Sequence, residues 1–173
     1  PGFLHLSFRD VNDVIRDIIF IDAPGEWFNQ WATNPSLAQG ADWVITHSDL
    51  LIVASDSEKL SHKDTKIRGG TRNDISSIFD RLKDYPYAKH IALIWTKAEE
   101  DNNVPKTIRD LITRNLNSVN FCPKSIHSCS IAQPDEMFNI INELISNISV
   151  EPTEITDHIL GNTIFESFRG NHG

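Results

Sequence analysis

Apolar and polar residues alternate from Phe3 to Phe8 (FLHLSF), the period-two pattern of a strand with one face in water. Asn, Asp and Arg residues within 9–17 predict a bend, and DIIFID (17–22) follows as an apolar run ending in a carboxylate. A strand buried on both faces reads this way. DLLIVASD (49–56) and HIALIWTK (90–97) repeat the form, and KSIHSCSIA (124–132) alternates weakly as a further strand. Helical spacing fills the intervals. Pro35 opens a segment to residue 49 in which Leu37, Ala41, Val44 and Ile45 recur at helical positions. Residues 73–85 carry the stripe Ile75, Ile78, Phe79 and Leu82 behind Asn73, a residue type that caps helices. Residues 105–117 carry Ile108, Leu111 and Ile112. Residues 134–148 carry Phe138, Ile141, Leu144, Ile145 and Ile148, with Asp135 and Glu136 near the positive helix end. The polar stretch 57–74, with Gly69-Gly70, predicts a loop with a short helical start. Residues 149–173 predict a tail or a short helix around Ile164, Phe165 and Phe168.

Strands alternating with helices predict an α/β domain with a mostly parallel sheet and helices on both faces. The first two strands are joined by a short turn and so must be antiparallel. In such sheets ligands bind at the carboxyl ends of the strands. That rim would hold Asp22, Ser55, Asp56, Thr96, Lys97 and Ser128 to Ser130.

Composition narrows the function. A chain of 173 residues suits one domain. Its net charge of −8, with basic residues scattered, argues against broad nucleic-acid binding, which needs clustered Lys and Arg. No run approaches the roughly 18 apolar residues of a membrane span. No basic segment leads an apolar one, so no secretory signal is read and a cytoplasmic location is expected. The two cysteines, Cys122 and Cys129, lack zinc-site spacing and are predicted to be reduced thiols. The seven histidines are dispersed and read as surface or strand residues.

Two strand ends carry candidate chemistry. Asp22-Ala23-Pro24-Gly25 places a carboxylate where it can hold Mg2+ through water, and a glycine where a backbone N–H can approach a phosphate. Many strands end in Asp and turn with Pro-Gly, so this stretch alone is weak. Thr96-Lys97-Ala98-Glu99 closes a later strand. The lysine stem can cover a flat base, and a carboxylate two residues on can accept the paired donors of guanine, which adenine lacks. A solvated strand end is the plain alternative. Both stretches, in this order on one sheet, favour the nucleotide reading.

These residues resemble a P-loop GTPase of the translation-factor-related class, and more closely the bacterial double-GTPase family. LHLSFRD (4–10), DAPGEWFNQW (22–31), GADWV (40–44), ASDSEKL (54–60), RGGTR (68–72) and ALIWTKAE (92–99) are similar to stretches typical of that family. The resemblance covers roughly residues 3 to 100. Beyond that it rests on the helix–strand alternation, with Ser128-Cys129-Ser130 where such GTPases present a base-contacting loop.

The resemblance implies a P-loop NTPase-type fold, a GTP/GDP ligand, Mg2+, and GTP hydrolysis when the domain is complete. Asp22 would hold the Mg2+ through water, and Gly25 would sense the γ-phosphate. Glu26 would stand where many GTPases place a water-orienting glutamine. Thr96, Lys97 and Glu99 would read guanine, with Glu99 in place of the usual aspartate, and Ser128 and Ser130 would approach the base. Arg68 or Arg72 would either supply an arginine finger or be a solvated basic loop. Trp27, Phe28 and Trp31 would either pack on the next helix or form a partner-binding switch surface. A role in bacterial conflict systems is implied by resemblance only.

The phosphate-cradling G-x-x-x-x-G-K-[ST] motif does not occur, nor does any Gly-Lys dipeptide. Residues 1–148 are therefore expected to be a partial GTPase domain, lacking its first strand and P-loop, with 149–173 as a tail. In the family's sheet the absent strand lies between DIIFID and DLLIVASD, so two strand edges would be left open. The remainder of the domain is expected elsewhere in a longer polypeptide or in another chain, and this piece alone is expected to be inactive. The alternative function is a nucleotide-free pseudo-GTPase acting as an interaction module. A receiver-type phosphoacceptor is more distant, because the acidic pair it needs at an earlier strand end is not found.

Overall fold

Residues His90–Thr96 form strand β4, and His90 through Trp95 all lie buried. Their near-continuous apolar sequence is what a strand covered on both faces and paired on both edges requires. Parallel strands β3 (Leu50–Asp56) and β5 (Lys124–Cys129) flank it, giving a three-stranded sheet in the order β3-β4-β5. The register sets Asp56 beside Thr96, and Thr96 beside Cys129, so the three strands end in one row. A second, separate sheet pairs β1 (Gly2–Arg9) with β2 (Ile15–Asp22), antiparallel as the short turn requires. The computed structural model describes residues 2–9, 15–130 and 132–148. Most of the predicted bend in 9–17 and the whole of the predicted tail 149–173 lie outside them.

Among the described residues six α-helices surround the strands: α1 (Gly25–Thr33), α2 (Gln39–His47), α3 (Ser57–Ser61), α4 (Thr65–Leu82), α5 (Lys106–Ser118) and α6 (Pro134–Asn147). Single stretches of 3-10 helix precede α2 (Pro35–Leu37) and follow β4 (Ala98–Asn103). The larger core packs Trp31, Ala41, Ile45, Leu60, Phe79, Leu82, Ile112 and Leu116 with Leu51, Ile91, Leu93 and Trp95, one face of the sheet. On the opposite face Ala92, Ile94 and Cys129 meet Ile140 and Leu144 of α6. Helices thus lie on both faces, as expected. Neither cysteine forms a disulfide; Cys129 is buried and Cys122 half-buried. Burial pushes the Cys122 thiol above its ordinary value.

The strands divide into two sheets, and β2 and β3 each have an unpaired edge among the described residues, which agrees with the open edges expected there. Other sequence expectations need correction. The polar stretch 57–74 has the expected short helical start in α3, but from Thr65 it is helix rather than loop, with only residues 62–64 between the two helices. Asp56 caps α3 through the Lys59 amide at 3.1 Å, and Asp64, not Asn73, caps α4 through the Lys66 amide at 2.8 Å. Leu37 lies outside α2 and is exposed. On α6 the sheet-facing side runs through Ile140 and Leu144, while Phe138 is 66% exposed. Apolar residues cover much of that helix, so spacing alone does not choose the buried side.

Candidate functional site

Strand β4 delivers Thr96 and Lys97 to the carboxyl-end rim. The Thr96 hydroxyl donates to the Ser55 carbonyl at 3.2 Å, tying β4 to β3 near their carboxyl ends. Lys97 then leaves the strand with φ of 56°, the left-handed region, and is the only non-glycine residue there among those described. L-residues adopt this conformation rarely, and a functional role is a common reason for it. The Lys97 side chain turns toward β3. Its ammonium donates to Asp56 Oδ2 at 3.2 Å and also to Glu58 Oε2. Burial opposes the charged form of Asp56, yet the Lys59 amide and the Lys97 ammonium outweigh it and hold the carboxyl below its ordinary value of 3.8. The Glu58 and Asp56 carboxylates in turn raise the Lys97 amine above 10.5.

Glu99 sits in the 3-10 turn after β4 and is exposed. On β5 the exposed Ser128 stands in register with Trp95. Ser130 is drawn into the turn before α6: its amide donates to Glu136 Oε2 at 3.3 Å, and its hydroxyl accepts from the Ala132 amide at 3.2 Å. The predicted base-reading residues Thr96, Lys97, Glu99 and Ser128 therefore occupy neighbouring positions on one rim. Asp56 and Glu58 belong to the same cluster; sequence reasoning places Asp56 on this rim without a role and does not single out Glu58. The signal that could find them is a strand end followed at once by a helix whose first turn is acidic.

Asp22 and Gly25 stand at the end of the other sheet. Asp22 is the exposed last residue of β2, and Pro24 precedes helix α1 without a side-chain cap. The first-turn amides of α1 carry the positive end of the helix dipole. At Gly25, an added Cβ would meet nothing within 4 Å, so protein packing does not account for the glycine. Glu26, in that first turn, is also exposed. Asp22 alone, with open space beside Gly25, fits the way Mg2+ binds through water and one or two carboxylates. Among the described residues no group of three or more His, Cys, Asp or Glu side chains forms a metal cage.

Helix α1 is anchored at its far end. Trp31 is fully buried, donates from Nε1 to Asp42 Oδ1 at 3.0 Å, and packs edge-on to Tyr85 at 4.8 Å. Arg81 donates from Nε to the Ala32 carbonyl at 3.1 Å, capping the negative end of α1. Trp27 and Phe28 are partly buried against the same core, and the Trp27 ring lies so close to Gly40 that a Cβ there would come within 2.8 Å. Trp31 thus has no surface to offer a partner in this conformation.

Arg68 and Arg72, expected in a loop, lie on α4. Arg68 donates from Nη1 to the His62 carbonyl at 3.2 Å, and Arg72 donates to Asn73 Oδ1. A groove of about 370 Å³ beside Asp42, Trp43, His47 and Tyr85 shares no lining residue with the strand-end rim. No helix among the described residues is long and apolar enough to cross a membrane. The family model described as Double-GTPase 2 matches residues 1–148. No curated protein matches the chain.

Proposed function

The chain belongs to the Double-GTPase 2 family, and from that premise we propose that it forms the base-reading and switch half of a Mg2+-dependent guanine-nucleotide switch. The observation that carries this reading is the row of strand ends. Asp56, Thr96 and Cys129 are aligned across three parallel strands, with Lys97 in a left-handed turn just beyond.

In this reading Lys97 lays its stem over the guanine face. Glu99 accepts the paired donors that distinguish guanine from adenine. Ser128 and Ser130 approach the base from β5. Asp22 would hold Mg2+ through water, and the ion when bound would neutralise phosphate charge. The Gly25 amide, at the open end of α1, meets the terminal phosphate. Glu26 orients the attacking water. Because α1 is fixed at Trp31 and Arg81 but open at Gly25, loss of the terminal phosphate would be felt as motion at its first turn. Trp27 and Phe28 would carry that motion to a protein partner. The phosphate cradle is supplied by the remainder of the domain, and the two open strand edges are consistent with a strand seated between β2 and β3. A cytoplasmic setting and a role in bacterial conflict systems belong to the same proposal.

The test is phosphate release from GTP, with and without Mg2+, by the full-length protein and by its Asp22→Asn and Glu99→Ala variants. The reading predicts Mg2+-dependent release, slowed at least tenfold by Asp22→Asn. It also predicts that Glu99→Ala raises the apparent KM for GTP about tenfold or more, as loss of a buried-donor match does. Nucleotide binding without release would leave a non-hydrolysing switch. Absence of both would favour an interaction module.

A further inference from the structure

We infer that Asp56 and Glu58 are positioning residues for Lys97: together they fix its side chain before any nucleotide arrives, so that the stem stands ready as a platform for the base. The inference rests on the guanine-nucleotide reading above and names the device that prepares that site.

An unanchored lysine would leave the platform unformed. Its four-carbon stem loses much rotamer freedom on ordering, and a flat base laid on a free stem would have to bear that loss on binding. Here the ammonium reaches back across the β4–β3 register to two carboxylates, one of which, Asp56, the chain also holds by another bond. Asp56 ends β3 and is committed to the Lys59 amide as the cap of α3, and Glu58 lies in the first turn of that helix. The lysine backbone is meanwhile set in the left-handed region. With backbone and ammonium both fixed, the methylenes between them have little freedom left. The Lys97 and Asp56 side chains are 31% and 26% exposed, so water screens their pair less than it would a fully solvated one. Glu58 is 62% exposed and adds a replaceable second anchor.

The chemistry also explains why the anchor carries negative charge. A neutral acceptor would hold the ammonium more weakly, whereas two carboxylates hold it firmly without demanding one geometry.

The test uses the full-length protein. Glu58→Gln removes one charge at an exposed position, and Asp56→Asn removes the other while keeping an acceptor for the Lys59 amide. Without nucleotide, side-chain NMR of Lys97 should show an ordered stem in the parent protein and a mobile one in the double variant. With a fluorescent GDP analogue, each variant should weaken binding, the pair by about tenfold, the order expected from ordering one lysine side chain. Glu58→Asp should restore most of the loss. In a Lys97→Met background, which keeps the apolar stem and lacks the ammonium, the same carboxylate changes should have no further effect. Thermal melts confirm that each variant folds.

A Lys97 stem already mobile in the parent, or carboxylate changes that weaken binding equally in the Lys97→Met background, would overturn the inference. Failure of the parent to bind the GDP analogue while Lys97 is ordered would overturn the guanine reading instead and support the anchor, so the two failures are distinguishable.

Discussion

At Lys97 a backbone conformation that L-residues avoid coincides with a paired ammonium at a strand end, and both follow from position. The T-K-x-E pattern singles out Lys97 but cannot show where the ammonium goes. That depends on the β3–β4 register, which brings Asp56 beside Thr96 across a long chain separation. Charge linkage at this pair has a definite sign. Asp56 is depressed below 3.8, so its contribution is complete above that pH and is lost as pH falls through the lowered value. Lys97 is raised above 10.5, so its contribution is complete below that pH and is lost as pH rises through the raised value. Neither member of this pair changes charge near neutrality. His90 behaves differently: burial, and then the nearby His127, push its imidazole below 6.5, against a smaller opposing effect of Glu143. Its contribution is complete above pH 6.5 and declines as pH falls. Urea unfolding should thus show stability dropping as pH falls below 6.5. His90→Asn, which can still bond Ser125, should reduce that slope, and Asp56→Asn should not. Gly25 supplies a second residue-scale prediction. Gly25→Ala should leave the melting temperature unchanged or slightly raised, because nothing stands within 4 Å of the new methyl. In the proposed function it should still cut GTP turnover, by about tenfold or more, since the methyl faces the phosphate position.

Among the elements, α1 and α4 show how far periodicity reaches. The segment GEWFNQWAT forms α1, yet its sequence points to chemistry more plainly than to a helix, because its aromatic content obscures the stripe. Packing resolves it: Trp31 fills the core with its indole N–H satisfied by Asp42, and Arg81 closes the carboxyl end. Trp31→Ala should cost about 3–5 kcal/mol in urea unfolding, as large aromatic truncations do. Trp31→Phe should cost less, since it keeps most of the packing and loses the Asp42 bond. In α4 the Gly69-Gly70 pair and the polar first half predict a loop, yet the helix runs 18 residues from its Asp64 cap. The buried stripe Ile75, Phe79 and Leu82 holds the second half, and the cap lets the first half continue. A methyl added at either glycine would meet nothing within 4 Å, and neither has a positive φ. Gly69→Ala and Gly70→Ala should each stabilise the protein by about 0.5–1 kcal/mol. A destabilised variant would show that the glycines serve a close approach absent from this conformation.

For the whole molecule, strand and helix order is legible because parallel strands must be apolar throughout and their crossover helices amphipathic. The division into two sheets leaves no local periodicity, because it depends on hydrogen bonding between distant strands, and only the family resemblance points to it. The expectation of open edges on β2 and β3 does match the described strand order. The hairpin keeps Phe3, Leu4, Leu6 and Ile19 exposed, and Ile52 on β3 is exposed as well. Amide exchange should reflect this division. Protons of β4, buried and paired on both sides, should exchange last, through global unfolding, while those of the β1–β2 hairpin should exchange first. The family match reaches across both sheets. The most direct measurement of the central claim is displacement of a fluorescent GDP analogue from the full-length protein, with Mg2+ present, by GTP and by ATP. Displacement by GTP, with ATP ineffective at roughly a hundredfold higher concentration, is the predicted result. Failure to bind the analogue, or equal displacement by ATP, would contradict a guanine-reading rim at Thr96, Lys97 and Glu99.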